Sequence, residues 1–561
     1  MSESRHGVFG IDLGTTYSVI AYVDETGRPT VLPNGYGEQV TPSVVHFESD
    51  AHVVVGQAAK ETAVVSPADV VSLIKREMGN RDYNRVFHDR NYSAPAISSL
   101  ILEALAGDIQ RAGFDISSVV ITVPAYFGML EKEATRQAGE LAELKVAAIV
   151  PEPVAAAFAY GLGEGAADET VLVYDLGGGT FDVTIMRIGK TSIEVLAVGG
   201  NHQLGGANWD EVLFNHLLDE AVKEAGDDAL RDDEFVTQAA WNDAEKVKKA
   251  LSSASSRAAI VRHSGGSAKI TVTREQFEGL TAHLLEQTVD VMQRTLEEAE
   301  RLHPGVKDQL SSVLLVGGSS HMPAVRAAVS TALGREAKLA DPDLAVAKGA
   351  ALYAAGLAVR DIILPDHDST ENLPLPVESL TPLQEEKVRE VVGGLLPEAA
   401  LKLAERTVSN VLPKAVGIKL VDMSSPDWEQ NPEEHAYVQH LVEAQTPVPH
   451  TSPAFKAGTV SANQDVIRIE IWEQAGESAG RDVQENTLLK HGDICDLRPF
   501  DLPANSPIDI FFNVNSEGLV QVTALEPTSR KEIKVEAKIQ LLTQAQMDEA
   551  RRNLSGLTAR T

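Results

Sequence analysis

The sequence predicts a multidomain chain: a duplicated α/β domain over residues 1–360, followed by an all-β sandwich domain over residues 411–540. Up to Arg360, short β-rich runs such as "VVITVPAYF" alternate with helical stretches, as in α/β domains. Two similar strand–turn–strand segments, "FGIDLGTTYSVIAYV" and "LVYDLGGGTFDVTIMRI", indicate two related halves. A chain of 561 residues is also too long for one hydrophobic core.

The two turns share an aspartate, glycines and hydroxyl residues, which are Asp12, Gly14, Thr15 and Thr16 in the first and Asp175, Gly177, Gly178, Gly179 and Thr180 in the second. Backbone N–H groups of a glycine-rich turn can converge on one oxyanion, because no side chain blocks its approach. Carboxylates at the strand ends suit hydrated Mg²⁺. The pair is therefore predicted to clamp one nucleotide polyphosphate, although each turn alone would also fit an ordinary Asp-Gly hairpin.

Residues 361–410 are predicted to form a linker that contains two short helices. The stretch "DIILPDHDSTENLPLPVESL" is rich in proline and acids and has no periodic apolar face. A helix is expected to begin at Thr381, because "TPLQ" offers an N-cap, a proline at the first helical position and a glutamine at the third. A second helix is expected from Pro397 to about Arg406.

The all-β prediction for residues 411–540 depends on the alternation of apolar and polar residues. In "DVIRIEIWEQ", Ile467, Ile469 and Ile471 alternate with charged residues, and "IDIFFNVNSEGLVQVTALEP" is typical of two strands joined by a turn at residues 516–518. Residues 541–561 hold one helix candidate, "LTQAQMDEARRNL".

Composition excludes several classes of partner. A formal net charge of −32 repels nucleic-acid phosphates and anionic lipid, so neither is expected to bind. Cys495 is the single cysteine, which excludes an intramolecular disulfide and suits a reducing cytoplasm. No apolar run approaches membrane-spanning length and "MSESRHG" resembles no export signal. We expect a cytoplasmic protein with no membrane partner.

A series of motifs carries a family resemblance. "FGIDLGTTYSVIAYV", "SLIKREMG", "VVITVPAYF", "VPEPVAAAFAYGLG", "VYDLGGGTFDVTI", "VLLVGGSSHMPAV" and "DPDLAVAKGAAL" follow, in order, the motifs of the seventy-kilodalton heat-shock chaperones of the DnaK type. The resemblance covers nearly all of Val8 to Arg360 and implies an actin-like ATPase domain. Residues 411–539 resemble the peptide-binding domain of that family more loosely.

The resemblance implies roles on the phosphate side of the site. Lys75 would orient the attacking water, Glu152 would position it beside the metal, and Thr180 would lie next to the γ-phosphate. Asp12, Asp175 and Glu152 would hold magnesium through water, with potassium near Asp12 and Asp182. The residues implied to contact the phosphates are Gly14, Thr15, Thr16, Tyr17, Gly177, Gly178 and Gly179.

On the nucleoside side, Glu245 and Lys248 would contact the ribose. Lys249 and His321 stand where animal cytosolic members carry arginines that sandwich adenine, and lysine lacks the planar guanidinium that stacks well. The other implied ATP or ADP contacts are Gly205, Gly206, Ser252, Gly317, Gly318, Ser319 and Asp343.

In the β domain, the resemblance implies an apolar groove for an extended peptide. Phe455 and Val466 are the candidate lining residues, and ordinary core packing would explain either one equally well. Family members close the groove with a long helical lid. Here we expect no full lid, with residues 541–561 bracing the sandwich edge, and therefore weak, rapidly exchanging peptide binding.

These features together favour an ATP-dependent chaperone that hydrolyses ATP slowly and binds unfolded or extended polypeptide. A J-domain cochaperone and a nucleotide-exchange factor are the further partners that the resemblance implies. One alternative is a nucleotide-gated scaffold with one fixed partner. Another is a metabolite kinase of the same superfamily, which leaves the β domain unexplained.

Overall fold

A computed structural model describes residues 5–161, 168–367, 375–476, 479–497, 500–536 and 541–560. The chain divides into two compact units. The first comprises residues 1–125, 134–407 and 542–561, and the second comprises residues 126–133 and 408–541. Within the described ranges, no helix is long and apolar enough to cross a bilayer.

Strands and helices alternate up to residue 404. The strands are β1 (Arg5–Asp12), β2 (Tyr17–Val23), β3 (Pro29–Leu32), β4 (Thr41–Pro42), β5 (Val45–Phe47), β6 (His52–Val55), β7 (Val70–Val71), β8 (Arg85–Phe87), β9 (Arg90–Tyr92), β10 (Phe114–Val123), β11 (Val146–Pro151), β12 (Glu169–Leu176), β13 (Phe181–Ile188), β14 (Ser192–Asn201), β15 (Ser256–His263), β16 (Gly266–Thr273), β17 (Leu310–Val316) and β18 (Ala337–Leu339). The helices are α1 (Gln57–Thr62), α2 (Ala94–Arg111), α3 (Met129–Leu141), α4 (Glu152–Tyr160), α5 (Gly206–Ala225), α6 (Glu234–Leu251), α7 (Arg274–Leu280), α8 (Ala282–Leu302), α9 (Val306–Gln309), α10 (Pro323–Leu333), α11 (Ala345–Ile363), α12 (Pro382–Val391) and α13 (Pro397–Ala404). This is the mixed α/β unit that the alternation predicts.

The first unit contains the same sheet twice. One sheet has the order β11-β10-β1-β2-β3, and the second contains the run β18-β17-β12-β13-β14. In each, the strand that ends in the aspartate turn is parallel to one neighbour and antiparallel to the next. The duplication inferred from the two turns is therefore a duplication of sheet topology, and it places Asp12 and Asp175 at equivalent strand ends.

Helix α11 packs closely on β1 and α4 because small residues let the backbones approach each other. It is rich in alanine, and a Cβ added to Gly10 of β1 would overlap the α11 backbone at Ala351. A Cβ added to Gly349 of α11 would overlap the Ala155 carbonyl of α4. The helix therefore fits against β1 and α4 only with glycine at both contacts.

The segment predicted as a linker packs inside the first unit. The capping box at Thr381 forms as expected and begins α12, and α13 begins at Pro397. Helix α13 lies against α11, where Arg360 Nη1 donates to the Ala404 carbonyl at 2.9 Å. Arg406 Nη2 donates to the Gly161 carbonyl at 2.9 Å. Both helices thus belong to the first unit, and the chain enters the second unit at residue 408.

The second unit is β-rich, as predicted. Its strands are β19 (Thr407–Val411), β20 (Val416–Val421), β21 (Ala436–Val442), β22 (Pro447–Val448), β23 (His450–Thr451), β24 (Phe455–Gly458), β25 (Ile467–Gln474), β26 (Asn486–Ile494), β27 (Pro507–Val514), β28 (Val520–Glu526) and β29 (Lys531–Glu536). Most of them form two antiparallel sheets, β21-β20-β25-β26 and β23-β27-β28-β29, with β24 pairing to β27. Ile467, Ile469 and Ile471 are buried, as their alternation requires.

The last described elements return to the first unit. Helix α14 (Gln544–Leu554) and strand β30 (Thr558–Arg560) both belong to it. Strand β30 pairs in parallel with β6, in the sheet β30-β6-β5-β7. The expectation that residues 541–561 brace the edge of the sandwich is wrong, because the contacts of α14 and β30 satisfy polar groups of the first unit instead.

Substitution of Gly349 tests the close contact between α11 and α4. Gly349→Ala should lower the free energy of unfolding of the first unit by about 1–3 kcal/mol, because the new methyl group overlaps a backbone carbonyl. The matched control is Gly107→Ala in α2, whose Cβ meets nothing closer than 3.4 Å and which should stabilise by about 0.5–1 kcal/mol. Urea denaturation measures both, and shifts in the same direction would contradict the packing.

Candidate functional site

The two aspartate turns face one cleft of about 880 Å³ in the first unit. Its lining contains most of the nucleotide-site residues inferred from the sequence, namely Asp12, Gly14, Thr15, Thr16, Tyr17, Lys75, Glu152, Asp175, Gly177, Gly178, Thr180, Glu245, Lys248, Lys249, Ser252, Gly317, Gly318, Ser319, His321 and Asp343. Gly179, Gly205 and Gly206 do not line it but contact its loops: Gly205 abuts the Gly179 backbone, and Gly206 N–H donates to the Gly177 carbonyl at 3.0 Å.

The two turns pack directly on each other. A Cβ on Gly178 would overlap the side chain of Thr16, and a Cβ on Gly179 would overlap that of Thr15. Glycine is therefore required in the second turn by the hydroxyl residues of the first. The contact brings the backbones of both turns into one cleft.

The second turn is fixed from behind by donors to its carbonyl groups. Ser319 Oγ donates to the Gly177 carbonyl at 2.9 Å, and Ala207 N–H donates to the Gly178 carbonyl at 2.7 Å. Arg76 Nε donates to the Gly179 carbonyl at 3.0 Å. Because these carbonyls are occupied, the turn is held in one conformation before any ligand arrives.

Carboxyl groups outnumber cations at the base of the cleft. Burial, followed by the nearby charge of Glu152, raises the pKa of Asp12 to about 7. Burial and then the charges of Glu152 and Asp182 raise the pKa of Asp175 well above its usual value. Lys75 is the cation that lowers the pKa of both groups. Three carboxylates and one lysine leave a charge that a divalent cation fits.

The carboxylates of the cleft are not placed to bind a metal ion directly through several side chains. In the part of the chain that the structure describes, no group of three or more histidine, cysteine, aspartate or glutamate residues is placed to ligate a metal. Mg²⁺ usually keeps several waters and takes one or two carboxylates plus phosphate oxygens. Asp12, Asp175 and Glu152 would hold it in that manner.

Lys75 and Glu152 form a buried ion pair. Lys75 lies on a 3₁₀ turn, Ile74–Glu77, and Glu152 is the first residue of α4, directly after Pro151. Lys75 Nζ donates to Glu152 Oε1, and each side chain is at most 10% exposed. A carboxylate at a helix N-terminus is stabilised by the helix dipole. The pair holds a cation and an anion together beside the aspartate turns.

A second cluster closes the opposite end of the cleft. Tyr17 Oη donates to Glu245 Oε1 at 3.0 Å and accepts from Lys60 Nζ at 3.0 Å and Lys249 Nζ at 2.7 Å. Lys60 Nζ also pairs with Glu245. Lys60 comes from α1 and Glu245 from α6, so the cluster bridges elements that belong to different halves.

The charges of this cluster stabilise one another. Burial alone would raise the pKa of Glu245, but Lys60 and Lys249 lower it to about 2. Burial alone would lower the pKa of Lys249, but Glu245 and Tyr17 raise it to about 12. Glu245 and Lys249 therefore stay charged across the physiological pH range.

Other predicted nucleoside contacts are held by protein groups. Lys248 Nζ donates to Asp210 Oδ2 at 2.7 Å and to the Gly206 carbonyl at 2.8 Å. His321 Nε2 lies 2.9 Å from Asp343 Oδ2. These partners fix the side chains that the family resemblance assigns to ribose and adenine.

Sequence reasoning missed three residues of this site: Lys60, Arg76 and Asp210. Lys60 lies 185 positions from its partner Glu245, and no local pattern in "GQAAKETA" indicates the pairing. Arg76 follows Lys75 directly in "SLIKREMG", so its position next to a predicted site residue could have indicated that it belongs to the site. Asp210 belongs to "GGANWD", where its place on the buried face of α5 could have been predicted.

In the second unit, the structure separates the two candidate peptide contacts. Val466 is 40% exposed, whereas Phe455 is half-buried in β24 opposite Ile510. Among the described residues of this unit, Met423, Val460 and Phe500 also expose apolar side chains, and none of them was found from the sequence.

The loops that carry these exposed side chains are bonded to each other. Asn463 N–H donates to the Leu502 carbonyl at 2.7 Å, and Leu497 N–H donates to the Asp465 carbonyl at 3.1 Å. Val460 and Val466 flank one loop, and Phe500 lies on the other. The bonded loops thus bring exposed apolar residues into one region of the surface, here called the apolar patch, and exposed apolar patches are typical of interaction surfaces.

Two comparisons relate the chain to known proteins. The family model described as Hsp70 protein matches residues 8–392. Proteins named chaperone protein DnaK from Thermotoga petrophila, Thermotoga sp. strain RQ2 and Thermotoga maritima are each 41% identical over 381 residues. The alignment covers 65% of this chain and 63% of each relative, so it spans less than two thirds of their length. The chain belongs to the Hsp70 protein family.

The raised pKa of Asp12 predicts how the stability of the ligand-free protein depends on pH. The folded state binds the proton more tightly than the unfolded state, whose pKa is near 3.8, so this group lowers stability as pH rises from about 4 to about 7. Asp12→Asn should remove the effect and raise the free energy of unfolding at pH 8 by about 1–3 kcal/mol. Urea denaturation at pH 5 and pH 8 measures it.

The matched control is Asp50→Asn, which changes an exposed carboxylate of the same unit. It should leave the difference between pH 5 and pH 8 unchanged. If Asp12→Asn also leaves that difference unchanged, Asp12 is not destabilised by burial in the cleft.

Proposed function

We propose that this chain is an ATP-dependent molecular chaperone of the DnaK type. Its first unit hydrolyses ATP to ADP and phosphate, and its second unit binds unfolded or extended polypeptide under nucleotide control. The observation that carries the proposal is the packing of two glycine turns over a base of three carboxylates with one buried lysine. That combination suits a polyphosphate with a divalent cation.

The residues of the cleft have different roles in ATP hydrolysis. The backbones of the two turns hold the terminal phosphates, and Thr180 lies among them. Glu152 orients the attacking water, and Lys75, paired with it, stabilises the charge that develops on the transferred phosphoryl group. Mg²⁺, when bound, neutralises phosphate charge and polarises the phosphoryl oxygens. Turnover is slow because the site promotes attack by water mainly through positioning.

The Tyr17 cluster gives the cleft a closed state. Lys60 and Glu245 meet only when the two halves stand close together, so their ion pair favours retention of a nucleotide. Lys248, fixed by Asp210, presents a donor near the expected ribose. Adenine would lie between Lys249 and His321, which offer less stacking than two arginines.

Peptide binding is proposed for the apolar loops of the second unit. Val466, Val460 and Phe500 expose apolar surface that an extended apolar segment could bury. J-domain and nucleotide-exchange partners are proposed by family analogy alone. The nucleotide-gated scaffold differs in one observable: with an unfolded client in a single-turnover assay, a chaperone accelerates hydrolysis or releases client, and a scaffold does neither.

Neutralising the ion pair tests the proposed chemistry. Lys75→Met should lower the ATP turnover rate by about 100-fold or more, because it removes the cation that stabilises the transferred phosphoryl group. The double variant Lys75→Met, Glu152→Gln removes both members of the ion pair together and should be as slow while folding normally. A steady-state phosphate-release assay measures both, with exposed Lys190→Ala as the control. If the double variant hydrolyses ATP at the wild-type rate, the catalytic roles assigned to Lys75 and Glu152 are wrong.

Val466→Asp tests the peptide site. A charge in the apolar patch should weaken binding of an unfolded hydrophobic peptide by about tenfold or more in the ADP state, without changing ATP turnover. The matched control is Val86→Asp, which alters an exposed valine of the first unit. Fluorescence anisotropy with ATP and with ADP measures the affinities. Equal peptide binding by Val466→Asp and wild type would place the peptide site elsewhere.

A further inference from the structure

The segment from residue 542 to residue 560, here called the strap, fastens to the first unit at three places. At its start, Leu542 N–H donates to Gln137 Oε1 at 3.0 Å, and Gln137 Nε2 donates back to the Leu542 carbonyl at 3.0 Å. Gln137 is 3% exposed, so this reciprocal pair is buried. A buried amide satisfied by one backbone group is a specific attachment point.

The middle of the strap attaches through α14. Met547 and Ala550 are buried, which gives the helix an apolar face on the unit. Asn553 Nδ2 donates to the Asn91 carbonyl at 2.8 Å, and the Asn553 carbonyl accepts from Arg90 Nη1 at 3.1 Å. The helix end is thus bonded to two residues of β9.

The end of the strap is strand β30, which adds to the edge of a sheet. Thr558, Ala559 and Arg560 pair in parallel with His52, Val53 and Val54 of β6. Thr558 N–H donates to the Ala51 carbonyl at 3.0 Å. This is strand addition to an open sheet edge, with the chain supplying its own added strand.

The sheet that the strap completes is connected along the chain to two lysines of the site, Lys60 and Lys75. Strand β6 runs directly into α1, which carries Lys60, and β6 pairs with β5. Strand β5 pairs with β7, and the 3₁₀ turn that carries Lys75 follows β7 by two residues. Lys60 bonds to Tyr17 and Glu245 across the cleft, and Lys75 bonds to Glu152 at its base.

We propose that the strap is an internal brace that controls how fast nucleotide leaves the cleft. With β30 in place, the sheet β30-β6-β5-β7 is held together from one edge, so Lys60 and Lys75 stay in position. When β30 detaches, the β6–α1 segment loses its outer neighbour, the Lys60 bridge to Glu245 opens more often, and nucleotide escapes faster. This inference rests on the proposed nucleotide binding.

The strap also follows the second unit directly along the chain. Residues 408–541 make up most of that unit, and the residues on either side of them belong to the first unit, so this stretch is covalently joined to the first unit at both of its ends. A conformational change in the second unit can therefore pull on the strap as well as on the segment before residue 408. The strap is thus a second covalent path by which peptide binding can alter nucleotide release.

The test is the release rate of N-methylanthraniloyl-ADP from the full chain, chased with excess ATP in a stopped-flow instrument. Thr558→Pro removes the donor to Ala51 and should accelerate release about threefold to tenfold. The matched control is Ala559→Pro, because backbone groups alternate along a strand and the Ala559 N–H points away from β6. It should stay within about twofold of wild type.

A chain that ends at Leu557 lacks β30 outright and should match Thr558→Pro. The opposite variant carries Val54→Cys and Arg560→Cys with Cys495→Ser, because paired residues on adjacent strands lie within disulfide range. When oxidised it should release no faster than wild type, and a reductant should return it to the rate of its reduced form.

The link through Lys60 has its own readout. In a Lys60→Ala background, removal of residues 558–561 should accelerate release by a clearly smaller factor than in wild type, because the bridge it loosens is already gone. If removal of residues 558–561 accelerates release by the same factor in both backgrounds, the proposed link through Lys60 is wrong.

If the chain that ends at Leu557 releases labelled ADP at the wild-type rate, the proposal that the strap is a brace is wrong, although the proposed function stands. If wild type binds no labelled ADP, the proposed function itself fails.

Discussion

The contact between the two glycine turns is the constraint on which the rest of the first unit depends. Gly178 and Gly179 abut Thr16 and Thr15 so closely that a methyl group would not fit. The two equivalent sheets must therefore approach each other at those strand ends. Duplication of one simple sheet thus yields a single cleft with two similar walls.

The close approach of the two sheets brings carboxyl groups together at the base of the cleft, where burial already disfavours their charged forms. Asp12 and Asp175 reach the cleft base with raised pKa values, and Lys75 offsets only part of the repulsion. Sites that bind a cation with a polyphosphate commonly keep such a destabilised set of groups, since the ligand restores the balance. In the Tyr17 cluster, by contrast, cations and an anion are matched, and the cluster bridges the two halves.

Local patterns in the sequence were sufficient for much of the fold. The capping box at Thr381, the alternating isoleucines of β25 and the two aspartate turns each depend on nearby residues, and each forms as predicted. The bridge between Lys60 and Glu245 could not be predicted in this way, because it joins distant segments that carry no local sign of each other. The packing of α13 and the return of β30 to β6 depend likewise on surfaces that exist only after folding.

The central claim is that the twin turns bind the phosphates of a magnesium nucleotide. Isothermal titration of the wild-type chain with ADP and with adenosine, each with Mg²⁺ and with EDTA, tests it most directly. The account predicts that ADP with Mg²⁺ binds tightest and that removal of either the metal or the phosphates weakens binding by about tenfold or more. Equal affinity for adenosine and ADP, unaffected by EDTA, would contradict it.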